Sequence, residues 1–307
     1  MWARSPPRSR RRPSNRLTRG PSRSDTDSRA SPAGTSGSTS HFSAAGRVDS
    51  AMPTKRVLIT GASGLIGGIV ARGLADEHEL RGIDRRRVRG LPSRRANMAR
   101  FKSVAPAFKG AEVVIDLAAA PSPALPWKVV LRNNIPATLN ALEASAQAGV
   151  KRVVFASSNH VTGLYERDEP YAKIVAGRYD GIPPGGFPVI TVAHAVRPDG
   201  AYGVGKAFGE AAARSYAERF GLSVICLRIG TVNAADRPRN PRQFATLLSH
   251  ADLVRLVRCC IDAPEEVRFA IFYGVSANTW RFWDIDDARE AIGYRPHDDA
   301  ESFRADP

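Results

Sequence analysis

RVLITGASGLIG, residues 56–67, is the stretch whose reading decides the fold. Val57, Leu58, Ile59 and Thr60 form a short apolar, β-branched run, the pattern of a strand buried in a parallel sheet. The run passes straight into Gly61, Gly64 and Gly67, then into the helical spacing of Leu65, Ile66, Ile69, Val70 and Leu74. Glycines at such a turn let the backbone reverse tightly, approach a pyrophosphate, and pack the helix close to its strand. The helix start offers free N–H groups and the positive end of its dipole to phosphates.

Working outward, ELRGID (residues 79–84) reads as a second strand ending on Asp84, 17 residues beyond Gly67. A carboxylate there accepts bonds from the adenosine ribose hydroxyls and repels a ribose phosphate, so NAD is expected. Arg85, Arg86 and Arg87 follow at once, either as a solvated basic loop or as a holder for the extra phosphate of NADP, the lesser alternative. On this reading Gly61, Ser63, Gly64, Leu65, Ile66, Gly67 and Asp84 form the first part of a cofactor site. Alternation then continues: a strand over 111–119, a helix over 132–149, and RVVFASS (152–158) as a strand. A helix over 202–220 and a strand over 222–230 complete it. Apolar strands separated by helices predict an α/β fold, a Rossmann-type doubly wound parallel sheet. A small C-terminal substrate lobe is expected over roughly 231–285.

The chain has 45 Lys and Arg against 30 Asp and Glu, a formal net charge of +15. Residues 1–51 hold ten Arg and three Asp; residues 81–102 hold eight Arg and Lys102 against Asp84 alone, so the rest is neutral. This excludes a uniformly basic domain, and no nucleic-acid partner is expected. The first 51 residues, with twelve Ser and five Pro, are too polar to offset the entropy of ordering and read as a disordered leader. Met52, directly ahead of the folding sequence, reads as an alternative start. No apolar segment follows the Arg-rich beginning, as a secretory signal requires. No apolar run approaches the ~18–20 residues of a membrane helix. Cys226, Cys259 and Cys260 are odd in number and lack metal-ligand spacing. Residues 52–307 therefore read as one cytoplasmic enzyme domain without a metal.

AYGVGK places Tyr202 and Lys206 four apart at the start of a helix, on one face and one turn apart. A free phenol, with a pKa of ~10, is a poor base at neutral pH. A neighbouring ammonium and a cationic nicotinamide would stabilise the phenolate and bring it toward the working range. Ser158, ending the fifth strand, is placed to hold the substrate oxygen. Tyr-x-x-x-Lys alone is common on ordinary helices; its position downstream of the glycine turn and Ser158 gives it weight.

The combination resembles the extended short-chain dehydrogenase/reductase (NAD-dependent epimerase/dehydratase) family across nearly all of residues 55–306. The resemblance implies that GASGLIG is the cofactor turn and that Leu117, Ala118 and Ala119 of LAAAP form the fourth-strand motif. It implies that Asn134 of RNNI is a structural and relay asparagine, and that Ser158, Tyr202 and Lys206 are catalytic, with Tyr202 and Lys206 also touching cofactor. Asn97 departs from the family, whose members often carry an Asp contacting adenine at about that position. Family members are commonly homo-oligomers.

Within the family, PWKVVLRNNI (126–135), FASSNHVTG (155–163), LRIGT (227–231), LSHADL (248–253) and YGVSANT (273–279) resemble a narrower group. That group comprises the uronate dehydrogenases and the haloarchaeal NAD-dependent glucose-6-phosphate dehydrogenases. It implies oxidation at the anomeric carbon of a hexose derivative, a hexuronate or hexose phosphate, giving a lactone. Ser158, Asn159, His160, Thr231 and Arg242 then bind the sugar, with Ser122 a weaker candidate. Each has a plainer alternative: His160 as a backbone-bonded core histidine, Arg242 as an exposed charge beside Arg237 and Arg239. Trp280, Phe282 and Trp283 read as lobe packing, and Cys259 and Cys260 as buried helix residues.

The alternative enzyme is a sugar-nucleotide epimerase/dehydratase, for which the C-terminal lobe looks small. A cofactor-sensing binding module is a third reading, opposed by the intact Ser158, Tyr202 and Lys206. Between Ser158 and Tyr202 lies a long connection, with GIPPGGFP near its centre. Its segment 164–200 reads as a lid insertion over the sugar, in which Lys173, Arg178, His194 and Arg197 are candidate anion contacts.

Overall fold

The computed structural model describes residues 54–304; the expected leader, 1–51, lies outside them. Seven strands, β1 (Arg56–Thr60), β2 (Glu79–Asp84), β3 (Ser93–Arg95), β4 (Val113–Asp116), β5 (Arg152–Ser158), β6 (Ser223–Ile229) and β7 (Phe269–Gly274), form one sheet. Their order is β3-β2-β1-β4-β5-β6-β7, and every pairing is parallel. The chain order reverses between β1 and β4, which opens a crevice at the carboxyl ends of the strands.

Alternation along β1 explains the layering. Val57 and Ile59 join one apolar core with Ile69, Val70, Leu253 and Leu256. Leu58 points the other way, into a core with Phe108, Leu142, Phe155 and Val224. Every residue of β5 and β6 is buried, as a sheet covered on both faces requires.

Four boundaries depart from the sequence reading. β4 stops at Asp116, because the next two amides, of Leu117 and Ala118, turn to the Thr60 hydroxyl at 3.1 Å each. β3 carries SRR, all exposed, and no apolar residue, so hydrophobic patterning missed it. The fourth helix region starts at Trp127 rather than 132 and widens to a π turn over Val130–Asn134 before Ile135–Ala148. β7 extends the sheet into sequence read as lobe.

The insertion is a wall rather than a free flap. Its two ends are joined by Leu164 N–H to Arg197 O (2.9 Å) and Arg197 N–H to Val161 O (3.0 Å). Tyr171, Ile174, Phe187 and Ile190 pack with Tyr273, Trp280, Phe282 and Trp283 in a third apolar core. Ile190 also bonds the C-terminal segment from both sides, accepting from Asp284 and donating to Phe282. Trp280, Phe282 and Trp283 are buried there, as expected of packing residues. Cys226 and Cys260 are buried and Cys259 half-buried, all as free thiols. Among the described residues no helix is long and apolar enough to cross a membrane.

Candidate active site

The glycine turn is shaped for close approach. Gly61 has φ +66°, and a Cβ on it would lie 2.9 Å from the Leu117 carbonyl. A Cβ on Gly67 would lie 2.5 Å from Gly61 O and 2.8 Å from Ala62 Cα. The helix Leu65–Gly73 begins on Gly64, which supplies no side-chain cap, so its first amides remain open to an anion. Asp84 reaches back to this turn: it accepts from Ser63 N–H and Arg86 N–H, each at 3.0 Å. Partial burial pushes its carboxyl up, but those bonds and the Arg86 charge outweigh it and hold the group below the usual range.

These residues fit a dinucleotide: an uncluttered backbone turn, unpaired helix amides, and an ionised acid where the ribose diol is expected. Arg86 lies across the same turn, its Nε donating to Ser63 Oγ at 3.2 Å. Arg72, Arg87 and Arg89 border a cleft of about 330 Å³ with Ser63 and Gly64. Asn97 accepts from Ala99 N–H at 3.0 Å, closing its own turn.

Leu117, Ala118 and Ala119 follow β4 across the crevice. Asn134 turns its amide onto this loop, accepting from Ala120 N–H (2.9 Å) and donating to Ala120 O (3.2 Å). The π turn ending on Asn134 sets that register. Asn134 is buried and braces the loop. Ser122 lies on the same loop, half-buried, where its hydroxyl accepts from Ala124 N–H at 3.3 Å; nothing ties it to the other candidates.

Ser158, Tyr202 and Lys206 come together at the carboxyl end of β5, and all three are buried. The helix Ala201–Phe220 approaches closely because Gly203 sits against the His160 carbonyl, where a Cβ would collide. Lys206 Nζ donates to Ala156 O at 2.5 Å and lies 5.8 Å from the Tyr202 ring centre. Burial draws the Lys206 ammonium down to about 8, against the charges of Asp116, Cys226 and Glu210. Burial pushes Asp116 up to about 6, against the Thr60 hydroxyl and the Lys206 charge.

Tyr202 starts from a high value on the protein's own groups alone. Burial pushes its phenol up to about 12, with only the Ser158 hydroxyl pulling the other way. The ammonium is close, but it is spent on a carbonyl, and desolvation of the phenolate wins.

A buried ion pair holds this centre in place. Arg228 on β6 forks onto Glu210, two turns beyond Tyr202, at 3.0 and 2.9 Å, and Ser157 Oγ donates to the same carboxylate at 2.6 Å. Arg228 also donates to the Tyr273 hydroxyl, which bonds Thr162 at 2.9 Å. Removing one partner of such a pair leaves an uncompensated charge and costs about 3–5 kcal/mol. Neither Glu210 nor Arg228 was visible as a pair from sequence, since 18 residues and a helix-to-strand change separate them.

On the other side lie the sugar-site candidates. His160 donates its N–H to Ser158 Oγ (3.3 Å), sets its ring edge to the Tyr202 ring at 5.8 Å, and bonds Asp199 through Nδ1 at 2.6 Å. Its partner is a carboxylate beside the tyrosine, not the backbone. Asn159 donates to Ile229 O at 2.8 Å and accepts from Arg242 at 3.0 Å. Arg242 also donates to Thr231 at 3.2 Å, so Asn159, Thr231 and Arg242 form one network rather than exposed charges.

The proposed anion contacts of the insertion fare differently. Arg197 pairs with Asp168 and covers the Tyr165 ring, and His194 bonds Thr191 within its own turn. Two acids that sequence reading missed enter the site instead: Asp199 on His160 and Glu166 on Arg242.

The chain matches the model of the NAD dependent epimerase/dehydratase family over residues 57–291, and it belongs to that family. It is 34% identical over 261 residues to the NAD-dependent glucose-6-phosphate dehydrogenase of Haloferax volcanii, covering 80% of this chain and 95% of that one. To the L-arabinose 1-dehydrogenase (NAD(P)(+)) of the same organism it is 33% identical over 255 residues, 80% of this chain and 97% of the other. A mutant uronate dehydrogenase of Agrobacterium tumefaciens complexed with NAD superposes with a TM-score of 0.69 at 31% identity, over 82% of this chain and 88% of that one.

Proposed function

We propose that this protein is an NAD-dependent sugar dehydrogenase that oxidises the anomeric carbon of a hexose derivative, such as a hexuronate or hexose phosphate, to the lactone. The convergence of Ser158, Tyr202 and Lys206 beside the Asn159–Thr231–Arg242 network carries this reading. Gly61, Ser63, Gly64, Leu65, Ile66, Gly67, Asp84 and the 117–119 loop would hold NAD, with Tyr202 and Lys206 reaching its ribose and Asn134 bracing the loop. Bound NAD supplies the hydride acceptor and a positive charge near Tyr202.

The chain's own residues do the rest. Ser158 positions the anomeric hydroxyl, and Tyr202 takes its proton at the phenolic oxygen. A phenol raised to about 12 by burial is a weak base alone, so added positive charge must bring it down. Lys206 contributes part of that charge, being protonated below about 8. His160, oriented by Asp199, and Asn159 offer bonds to neighbouring hydroxyls, and the 164–200 wall keeps water out. Its free thiols support a cytoplasmic location, and the resemblance to a family whose members are commonly homo-oligomers supports a homo-oligomer. Mixing the protein and NAD with a panel of aldoses, hexuronates and hexose phosphates should raise absorbance at the NADH band. No reduction with any of them would overturn the reading.

A further inference from the structure

A guanidinium such as that of Arg242, which the family resemblance puts among the sugar-binding residues, can fork onto a substrate anion, but here the protein has already filled it. Glu166 accepts from Nε at 2.5 Å and from one terminal nitrogen at 2.7 Å, a two-pronged pair. The same nitrogen donates to Asn159 Oδ1 at 3.0 Å. The other terminal nitrogen donates to the hydroxyls of Thr231 at 3.2 Å and Thr246 at 3.4 Å. A guanidinium has five N–H groups, and these five acceptors use them all.

Glu166 is itself held. It lies on the turn Gly163–Arg167, next to Leu164, whose amide is bonded across the base of the insertion to Arg197. Both side chains of the pair are mostly shielded from water, 28% exposed for Arg242 and 14% for Glu166. An incoming carboxylate would have to break two charge-assisted bonds and then face the displaced Glu166 charge. An uncharged hydroxyl leaves the pair intact.

We infer that Glu166 is a specificity residue: by occupying and neutralising Arg242, it makes the sugar pocket favour a neutral group at that end over a carboxylate. Arg242 then acts as a positioning residue, holding Asn159 and Thr231 in place. This rests on the sugar-dehydrogenase reading and shifts its substrate class away from hexuronates, toward sugars that are uncharged at that end.

The test uses matched sugars, glucose with glucuronate and galactose with galacturonate, on the wild type and Glu166→Gln. The glutamine keeps the shape and removes the charge. The wild type should have the higher kcat/KM for the neutral member. Glu166→Gln should move the neutral-to-uronate ratio at least tenfold toward the uronate, with KM for NAD unchanged. A wild-type preference for the uronate, or a ratio unmoved within twofold, overturns the inference. Calorimetric titration of glucuronate into each NADH-bound protein gives an answer independent of turnover. At least tenfold tighter binding to Glu166→Gln supports the inference, and equal binding overturns it. Failure of the dehydrogenase reading looks different: no NADH forms from any sugar with either protein.

Discussion

The two ends of the crevice are built from different materials. The dinucleotide end is mostly backbone: a glycine turn, open helix amides, and one carboxylate at the tip of the neighbouring strand. The proposed sugar end is side chains drawn from distant sequence, Asn159, Glu166, Thr231 and Arg242, joined in one network. A backbone site needs small residues in a fixed local order, so it leaves a readable motif. A side-chain network needs only that its members meet, and many spacings satisfy that.

If the two ends are separable, changes at each should act on different constants. Between them stands Tyr202, and Tyr202→Phe should have the largest effect: a loss of about 10²–10⁴ in kcat, the range of a single general base. NAD binding, followed by protein fluorescence, should survive. Retained turnover would mean the base is elsewhere.

Gly67→Ala attacks the backbone end alone. Its new methyl collides with Gly61 O and Ala62 Cα, which belong to the turn itself. Overpacking of this kind costs about 1–3 kcal/mol, or about 5- to 150-fold in NAD affinity. KM for the sugar should hold steady; equal losses for both ligands would break the comparison.

The pH profile sharpens the catalytic link. Tyr202 must lose its proton to act as base, and burial sets its phenol high, so kcat/KM should climb from pH 6 toward 8. Lys206→Met removes a positive charge 5.8 Å from the ring and should move that limb to higher pH. At an effective dielectric of ~20, a charge at that range is worth about one to two pH units. A profile that does not move would reduce Lys206 to a structural role.

Asn159→Ala should have the smallest effect. It strips one acceptor from Arg242, which keeps its other partners, and one donor from Ile229 O, a net loss of about 0.5–1.5 kcal/mol. The loss, about two- to tenfold, should fall on kcat/KM for sugar and spare NAD.

Much of the fold was legible because β1, β5 and β6 carry apolar runs with clear breaks, and β2 showed through Asp84 at its end, 17 residues beyond Gly67. β3 was not, being three exposed polar residues that pair only because Gly82 and Asp84 present an edge. Ser158, Tyr202 and Lys206 stood out through order and spacing. Glu166 did not: YERDE carries three acids within five residues, and nothing local distinguishes the one that finds Arg242. The phenol's high pKa was also hidden, since depth of burial is a property of the fold and not of Tyr-x-x-x-Lys.

The central claim is chemistry at the anomeric carbon, and a deuterium label there tests it most directly. Using whichever sugar reduces NAD in the panel, deuterated at carbon 1, the account predicts label in the reduced nicotinamide and none in the lactone. It also predicts a slower hydride transfer than with unlabelled sugar. Label retained in the sugar product, with reaction at another carbon, would contradict the account.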